Sequence, residues 1–260
     1  MNDLQISVVM PSYNQALFIE DSIKSILSQS YINFEVIIVD GFSTDGTIEI
    51  LKKYEKNEKI KKIIIEKDHG QADALCKGFK YCTGDILCWL NSDDLYEVNA
   101  FKRVVEMFRQ NPCIDVLNGE LEVIDERSNW VAMWPRKIIT NQQWMHYPQT
   151  IGQPSTFFTS KIYRKVGGIN PNYNYAMDYD LFLRFAIANA RFEYVNHSLA
   201  KFRVHNHSKT MALPYKFWKE EIKVYYTCSN KKVFSGFYYW KFRGILSTIF
   251  KEKVLRSRKF

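Results

Sequence analysis

Strand and helix patterns alternate through the first part of the chain. Apolar runs predict strands, and between the first two of them apolar residues recur at helical spacing, at Ile19, Ile23 and Ile26. This succession of βα units predicts a parallel sheet with right-handed crossovers, and therefore an α/β fold. The predicted strands are Ile6–Met10, Phe34–Val39, Lys62–Glu66 and Ile86–Leu90, and the later helices between them are Ile48–Tyr54 and Gln71–Lys80.

The second half of the chain is less regular. Helices are predicted at Val98–Arg109 and Asp178–Ala188, and short strands at Ile114–Leu117 and Leu121–Ile124. The segment Trp130–Gln149 is rich in Trp, Pro and Gln, which predicts a loop.

Polar side chains stand at the carboxyl ends of the predicted strands. Ser12 and Asn14 follow the first strand, Asp40 follows the second, and Asp93 and Asp94 follow the fourth. In open α/β sheets ligands bind outside the carboxyl ends of the strands. The sequence therefore predicts a ligand site built from these loops.

The stretch Asn91-Ser92-Asp93-Asp94 is the most informative of these loops. It places two adjacent carboxylates where a buried strand surfaces, which is costly unless a cation or a polar ligand lies between them. Oxygen ligands suit a hard divalent ion that shares its shell with water and phosphate oxygens. An acidic turn that caps the next helix is the alternative interpretation.

Composition favours a folded protein with reduced thiols. An apolar fraction of 46% is enough for a sizeable core, and the 5 cysteines form no CxxC pair, so neither a zinc site nor a disulfide framework is expected. Met1–Gln5 lacks the basic and apolar regions of a signal peptide, and no apolar run reaches the roughly 18 residues that span a bilayer. We therefore expect a cytosolic protein without a transmembrane segment.

Positive charge is concentrated near the end of the chain. Residues 213–260 carry 12 Lys/Arg and 3 Asp/Glu, whereas residues 1–212 carry 24 and 25. We therefore divide the chain into a main domain, 1–212, and a basic amphipathic C-terminal region, 213–260. Its mixture of aromatic and basic residues suits an anionic membrane surface, and helices packed on the main domain are the alternative. Nucleic-acid binding is not expected because the main domain has no basic stripe.

Four motifs in a fixed order carry a resemblance to a known family. They are Val8–Asn14 (VVMPSYN), Val39–Thr47 (VDGFSTDGT), Leu90–Asp94 (LNSDD) and Met177–Arg184 (MDYDLFLR). The chain resembles family 2 glycosyltransferases of the GT-A fold over residues 4–210. The resemblance implies a Rossmann-like nucleotide-diphospho-sugar transferase domain with a mostly parallel central sheet, followed by the helical basic appendage.

The resemblance implies that the strand-end loops bind a UDP-sugar donor. The ring of Tyr13 would cover the face of uracil, and Asp40 would accept the imide N–H of that base. Arg203 would pair with phosphate. The implied nucleotide- and donor-binding set is Pro11, Ser12, Tyr13, Asn14, Asp40, Gln71, Asp73, Asn91, Asp93 and Arg203.

The resemblance also implies a divalent ion, Mn2+ or Mg2+, at the diphosphate. This ion would neutralise the charge that builds on the departing nucleotide. Asp94 is the expected first ligand, Asp93 the second, and His205 a further one. Many relatives carry Asp where this chain has Asn91, so the role of Asn91 is open.

Inversion by direct displacement needs a base that takes the proton from the acceptor hydroxyl. The family's base is the Asp of a Glu-Asp pair, and this chain has Met177-Asp178 there, so Asp178 is the predicted catalytic base. Asp180 is the rival, although its spacing from Arg184 favours a helix-stabilising ion pair.

The expected reaction moves a hexose, from UDP-Glc or UDP-Gal, to a saccharide hydroxyl and forms a β-linkage. The implied acceptor is an oligosaccharide or a lipid-linked sugar, such as GlcNAc or GalNAc on a polyprenyl diphosphate in O-antigen, lipopolysaccharide or capsule synthesis. Trp130–Gln149 is the expected acceptor-facing wall.

The expected location is cytoplasmic, peripheral on the inner face of the cytoplasmic membrane, and association into a homo-oligomer is left open.

Two other functions remain open from the sequence. A catalytically impaired sugar-nucleotide-binding or regulatory protein would account for Asn91 and Met177. A metal-dependent nucleotidyltransferase would also use paired carboxylates, although the segment Asp178–Leu181 argues against it.

Overall fold

A nine-stranded sheet runs through the computed structural model, which describes residues 3–134, 151–205 and 214–228. The order of its strands is β3-β2-β1-β4-β8-β6-β9-β5, with β7 paired to β6. The strands are β1 (Ile6–Ser12), β2 (Phe34–Asp40), β3 (Ile60–Ile65), β4 (Ile86–Trp89), β5 (Leu95–Tyr96), β6 (Val116–Ile124), β7 (Trp130–Met133), β8 (Thr156–Thr159) and β9 (Phe192–Arg203).

The predicted strands of the first half are present and pair in parallel. β1 lies between β2 and β4, and β2 also pairs with β3. Ser12, Asp40 and Trp89 therefore end their strands at one edge of the sheet. The expected parallel pairing holds for these strands and for β6 with β9, whereas β8 runs antiparallel between β4 and β6, and β5 and β7 also pair antiparallel. The whole sheet is mixed.

The two short strands predicted around residues 114–124 are one continuous strand, β6. Asn118 and Gly119 interrupt the apolar pattern, which is why the sequence suggests a break. The strand continues because the buried amide of Asn118 donates to Gly152 O (3.2 Å) and Thr156 Oγ1 (2.9 Å). Its pairing with β9 also continues through two register shifts.

The predicted loop Trp130–Gln149 begins as a strand. Trp130–Met133 forms β7 and pairs antiparallel with β6. Residues 135–149 of that loop lie outside the described residues, so its expected contact with an acceptor stays a prediction.

Helices cover both faces of the sheet because successive residues of a strand point to opposite sides. Val8 packs in a core with Ile23 and Phe101, whereas Val9 packs in a second core with Leu75. Among the described residues the α-helices are α1 (Ile19–Leu27), α2 (Thr47–Lys52), α3 (Gln71–Phe79), α4 (Ala100–Gln110), α5 (Ser160–Lys165), α6 (Met177–Ile187) and α7 (Pro214–Cys228).

Helix α3 crosses the parallel strands at close range. A Cβ added at Gly78 would lie 2.4 Å from Val9 Cγ1 and 3.1 Å from Val39 Cγ2, so a larger residue would push the helix away. The close approach holds Gln71, at the start of α3, near the carboxyl ends of β1 and β4.

The C-terminal helix α7 packs on the main domain. Val224 of α7 is buried in the same apolar core as Ala176 and Met177. Packing on the domain, the alternative interpretation of the basic region, therefore applies to residues 214–228. Residues 229–260 lie outside the described residues, and the predicted membrane contact stays a prediction.

Helices long and apolar enough to cross a bilayer are absent from the part of the chain that the structure describes.

Candidate active site

A cavity of about 1340 Å³ opens at the carboxyl edge of the parallel strands. Its wall combines the loops after β1, β2, β3 and β4 with the starts of α3 and α6 and one face of α7. The predicted site residues that line it are Pro11, Ser12, Tyr13, Gln71, Asn91, Asp93 and Asp178. Segments far apart in the chain thus meet at the edge that the strand ends predict.

The loop after β1 presents an exposed aromatic ring. Tyr13 is 60% exposed, so its ring is available to a ligand instead of packing in the core. Asn14 is not among the residues that line the cavity. Its Oδ1 accepts the N–H of Thr44 at 2.9 Å, and its own N–H donates to Ser43 Oγ at 2.8 Å. Asn14 therefore ties the loop after β1 to the loop after β2.

Asp40 is fully buried, and its carboxylate holds the turn after β2. Oδ1 accepts the N–H of Ser43 at 2.8 Å, and Oδ2 accepts the hydroxyl of the same residue at 2.7 Å. These contacts give no support to the expected hydrogen bond from Asp40 to uracil. In this arrangement Asp40 shapes the loop and does not reach the cavity.

Asp94 is also fully buried, and both of its oxygens accept hydrogen bonds from the protein. Oδ1 accepts the backbone N–H of Arg203 at 2.9 Å, and Oδ2 accepts the side-chain amide of Asn91 at 3.1 Å. Burial, and next the negative charge of Asp93, raise the pKa of Asp94 well above its usual value. This arrangement gives no support to Asp94 as first metal ligand, because both of its oxygens accept hydrogen bonds inside the loop and the residue does not line the cavity.

Asp93 is the carboxylate of this pair that faces the cavity. Its Oδ2 lies 2.9 Å from Nε2 of His205, and its side chain keeps 17% exposure against 2% for the histidine. The His205 ring packs against Phe18, with ring centroids 4.7 Å apart. The structure thus brings Asp93 and His205 together. The buried histidine supports the carboxylate and does not itself line the cavity.

Asn91 connects side-chain amides along the floor of the cavity. Its Oδ1 accepts from Gln71 Nε2 at 2.6 Å, and its Nδ2 donates to Asp94 Oδ2 at 3.1 Å and to Gln153 Oε1 at 3.4 Å. The amide of Asn91 both accepts and donates here, whereas an ionised carboxylate could only accept and would place a second negative charge beside Asp94. Asparagine at position 91, where many relatives carry Asp, therefore suits the buried carboxylate of Asp94 beside it.

Arg203 is buried and does not reach the cavity. Its guanidinium donates from Nε to Asp93 O at 2.8 Å, and from one terminal nitrogen to Glu126 O at 3.1 Å and Ser128 Oγ at 2.9 Å. It also lies 5.0 Å from the Phe18 ring centroid. These contacts give no support to the expected pairing of Arg203 with phosphate, because the guanidinium joins loops of the protein.

Arg203→Met is expected to lower the free energy of unfolding by about 3 kcal/mol, because several hydrogen bonds from a buried charged donor to backbone carbonyls are lost. Thermal unfolding measures this loss, and Arg127→Met on the exposed neighbouring loop is the control. A variant that unfolds like the wild type but loses UDP affinity would restore the phosphate role.

Asp73 lies in the first turn of α3 and does not line the cavity. It accepts the N–H of His69 at 3.1 Å and pairs with Lys77 at 3.2 Å. Burial acts to raise the pKa of Asp73, but the His69 N–H and Lys77 together lower it. These contacts stabilise the start of the helix and give no support to the expected contact of Asp73 with a donor sugar.

Asp178 lies in the first turn of α6, is half-buried, and lines the cavity. Its Oδ1 accepts the N–H of Tyr179 at 2.8 Å. The structure therefore places the predicted base where a cavity-bound hydroxyl can meet a carboxylate. Its catalytic role stays a prediction.

Asp180, the rival base, points away from the cavity. Its Oδ2 accepts from Arg184 at 2.9 Å and 2.6 Å, and Arg184 also donates to Val166 O at 2.7 Å. Burial raises the pKa of Asp180, and the Arg184 charge acts against that rise. The predicted ion pair is confirmed.

The donor set fits a divalent ion that binds together with a diphosphate. Within residues 3–134, 151–205 and 214–228, no group of three or more His, Cys, Asp or Glu could hold a metal ion by itself. Mg2+ and similar ions bind nucleotides through one or two carboxylates, with phosphate and water completing the shell. Asp93 would be that carboxylate, and His205 would orient it.

Sequence reasoning missed Asp68 and the part of α7 that lines the cavity. Asp68 follows β3 and borders the same space as Tyr13, since a Cβ on Gly41 would lie 2.7 Å from Asp68 Oδ2 and 3.2 Å from Tyr13 Cδ2. The strand-end rule, applied to β3 as well, would have found it. Phe217 and Trp218 of α7 carried no such signal, because their place depends on tertiary packing.

Comparison with known sequences identifies the family. The family model for Glycosyl transferase family 2 matches residues 7–167. The chain belongs to that family. A similar relative is the Escherichia coli enzyme UDP-Glc:alpha-D-GlcNAc-diphosphoundecaprenol beta-1,3-glucosyltransferase WfgD, 33% identical over 145 residues, which are 55% of this chain and 56% of the relative. The chain spans about half the length, or less, of curated relatives that it matches.

Solved structures share the fold of this family 2 chain. S. aureus TarS 1-349 in complex with UDP-GlcNAc has a TM-score of 0.73 at 18% identity, over 89% of this chain and 68% of that one. The mannosyltransferase PcManGT from Pyrobaculum calidifontis, in complex with GDP-Man and Mn2+, has a TM-score of 0.66 at 16% identity, over 90% and 66%. The predicted GT-A fold is therefore confirmed, and at these identities the likeness concerns the fold alone.

Proposed function

We propose that the protein transfers a sugar from a UDP-sugar to a hydroxyl of a saccharide acceptor, with inversion at the anomeric carbon. The observation that carries this proposal is the meeting of Tyr13, Asp93 and Asp178 at one cavity. An exposed ring for a base, a carboxylate for the diphosphate side and a carboxylate for the acceptor side are the groups that such a reaction needs.

The nucleotide lies on the side of the cavity formed by the loops after β1, β2 and β3. Uracil stacks on the exposed ring of Tyr13. Asp68 takes the place that sequence reasoning assigned to Asp40: its carboxylate borders the same space as Tyr13 and accepts the imide N–H of the base. Asp93 faces the diphosphate together with the divalent ion, which stabilises the negative charge there when bound.

The transfer step is a single displacement at the anomeric carbon. As the acceptor oxygen forms its bond to that carbon, Asp178 takes the proton of the hydroxyl. The bond from the same carbon to the diphosphate oxygen breaks, and UDP leaves with both electrons of that bond. An α-linked donor therefore yields a β-linkage.

The acceptor is proposed to be an oligosaccharide or a sugar on a polyprenyl diphosphate, and the donor UDP-Glc or UDP-Gal. The name of the relative WfgD, a beta-1,3-glucosyltransferase for alpha-D-GlcNAc-diphosphoundecaprenol, supports this class of substrates. Attachment of the basic region to the inner membrane face belongs to the same proposal, because it would bring the cavity to a lipid-linked acceptor.

A sugar-nucleotide-binding protein without turnover was the alternative suggested by Asn91 and Met177. Asn91 has a structural explanation of its own, because its amide donates a hydrogen bond to the buried Asp94. Met177 is 6% exposed and packs in an apolar core, which disfavours a charged side chain at that position.

The test is a panel of UDP-sugars with a synthetic GlcNAc- or GalNAc-diphosphate-lipid, in the presence of Mn2+ or Mg2+ and then of EDTA. We expect UDP release and an extended glycan with one donor, and loss of turnover with EDTA. UDP binding without turnover for every donor and both acceptors would support the binding protein instead.

A further inference from the structure

Helix α6, which carries Asp178, begins without a cap from its own sequence. Its N-cap residue is Ala176, and no side-chain hydrogen bond caps the helix from that position. The first N–H groups of a helix have no partners within the helix and need acceptors from elsewhere. The path of the chain just before Asp178 therefore depends on another element.

Glu220 of helix α7 supplies an acceptor for the N-cap residue Ala176 and for the two residues before it. Its Oε2 accepts the N–H of Tyr175 at 2.7 Å and of Ala176 at 3.0 Å, and its Oε1 accepts the N–H of Asn174 at 3.2 Å. Three consecutive N–H groups converge on one carboxylate. A negative charge in this place also interacts favourably with the positive end of the α6 dipole.

Other contacts of α7 hold the same segment. The ammonium group of Lys216 lies 5.8 Å from the ring centroid of Tyr175, and that of Lys223 lies 5.4 Å from the ring centroid of Tyr173. Val224 is fully buried in the core that contains Ala176. Helix α7 thus fixes residues 173–176 from both polar and apolar sides.

We propose that Glu220 is a positioning residue for Asp178. By holding the three N–H groups before α6, it determines where the first turn places the Asp178 carboxylate in the cavity. This inference rests on the proposed function, in which Asp178 is the base. It makes the C-terminal helix α7 part of the catalytic unit, although the sequence assigns it to a separate basic region.

Replacement of Glu220 is expected to act on kcat more than on donor binding. Glu220→Ala should lower kcat by about 100-fold, the cost of misplacing a catalytic group by roughly 1 Å. Glu220→Gln, which keeps one accepting oxygen but turns its amide toward the N–H of Asn174, should lower kcat by about 10-fold by the same argument. The KM for the UDP-sugar should stay within a factor of about two in both. Glu106→Gln, the same change at an exposed position of α4, is the control.

A double-mutant cycle separates positioning from general stabilisation. If Glu220 acts through Asp178, then Glu220→Gln should cost no further activity once Asp178 is replaced by asparagine. Additive losses in the double variant would overturn the inference, as would a Glu220→Ala variant with the kcat of the wild type.

Amide hydrogen exchange tests this inference independently of the proposed function. Exchange at residues 174–176 should accelerate in Glu220→Gln and Glu220→Ala but not in Glu106→Gln, whatever the reaction. A wild-type protein without turnover overturns the proposed function and the catalytic part of this inference with it. Unchanged exchange at these amides overturns the contact on which the inference is built.

Discussion

Asp178→Asn is expected to lower kcat by about 10²–10⁴-fold, the range that a positioned general base contributes. Asparagine keeps the size of the side chain and can still accept the N–H of Tyr179, so the start of α6 should be preserved. It cannot take the proton of the acceptor hydroxyl. Affinity for UDP should be unchanged, because Tyr13 and Asp93 on the nucleotide side are untouched.

The measurements are the rate of UDP release with acceptor present and calorimetric titration with UDP. Asp21→Asn, the same change on the exposed face of α1, is the control and should behave as the wild type. Asp180→Asn should instead lower the stability by about 3 kcal/mol, because it breaks a buried ion pair with Arg184. Full activity of Asp178→Asn, with loss of activity in folded Asp180→Asn, would move the base to Asp180.

The variants Asp93→Asn and Asp94→Asn are expected to differ, because the first carboxylate serves activity and the second serves folding. Asp93→Asn should fold like the wild type and lower kcat by about 10²–10³-fold, the size of a lost electrostatic contact at a departing group. The Mn2+-dependent part of UDP affinity should be lost with it. Asp93 faces the cavity, and an asparagine can turn its amide oxygen toward Nε2 of the buried His205, so that histidine keeps a partner.

Asp94→Asn should act on folding first. An asparagine there must turn its amide toward either the N–H of Arg203 or the amide of Asn91, and both of these are donors. One buried donor then loses its acceptor, at a cost of about 1–3 kcal/mol in the free energy of unfolding. Thermal unfolding and UDP titrations with and without Mn2+ check both variants. The reverse pattern, with a stable Asp94 variant that has lost Mn2+-dependent affinity, would return the metal to Asp94.

Local periodicity explains why much of the fold was predictable. β1 was predicted at Ile6–Met10 and extends to Ser12, and the helix predicted at Asp178–Ala188 begins one residue earlier, at Met177. Both elements have apolar patterns that a single strand or helix satisfies by itself. β6 was less predictable, since Asn118 continues the strand only through partners more than 30 residues away.

The location of the candidate site was predictable from the sequence, but most of its side-chain contacts were not. Parallel strands that end at one edge bring Ser12 and Asp93 together in any such sheet, and Asp178 was found from its motif. The same rule could not distinguish Asp93 from Asp94. Two adjacent aspartates at a strand end are chemically identical in the sequence, and only their burial in the structure distinguishes them.

The sequence by itself determined the βα order, the edge of the sheet at which the cavity opens, and the family to which the chain belongs. Each of these follows from spacing along the chain. The tertiary structure alone decided that Arg203 joins loops, that Asp93 faces the cavity while Asp94 is buried, and that Glu220 holds the segment before the helix with Asp178. Those outcomes depend on which groups meet across the fold. A charged group can be buried only where other residues supply its hydrogen bonds, and here those residues are distant in the chain.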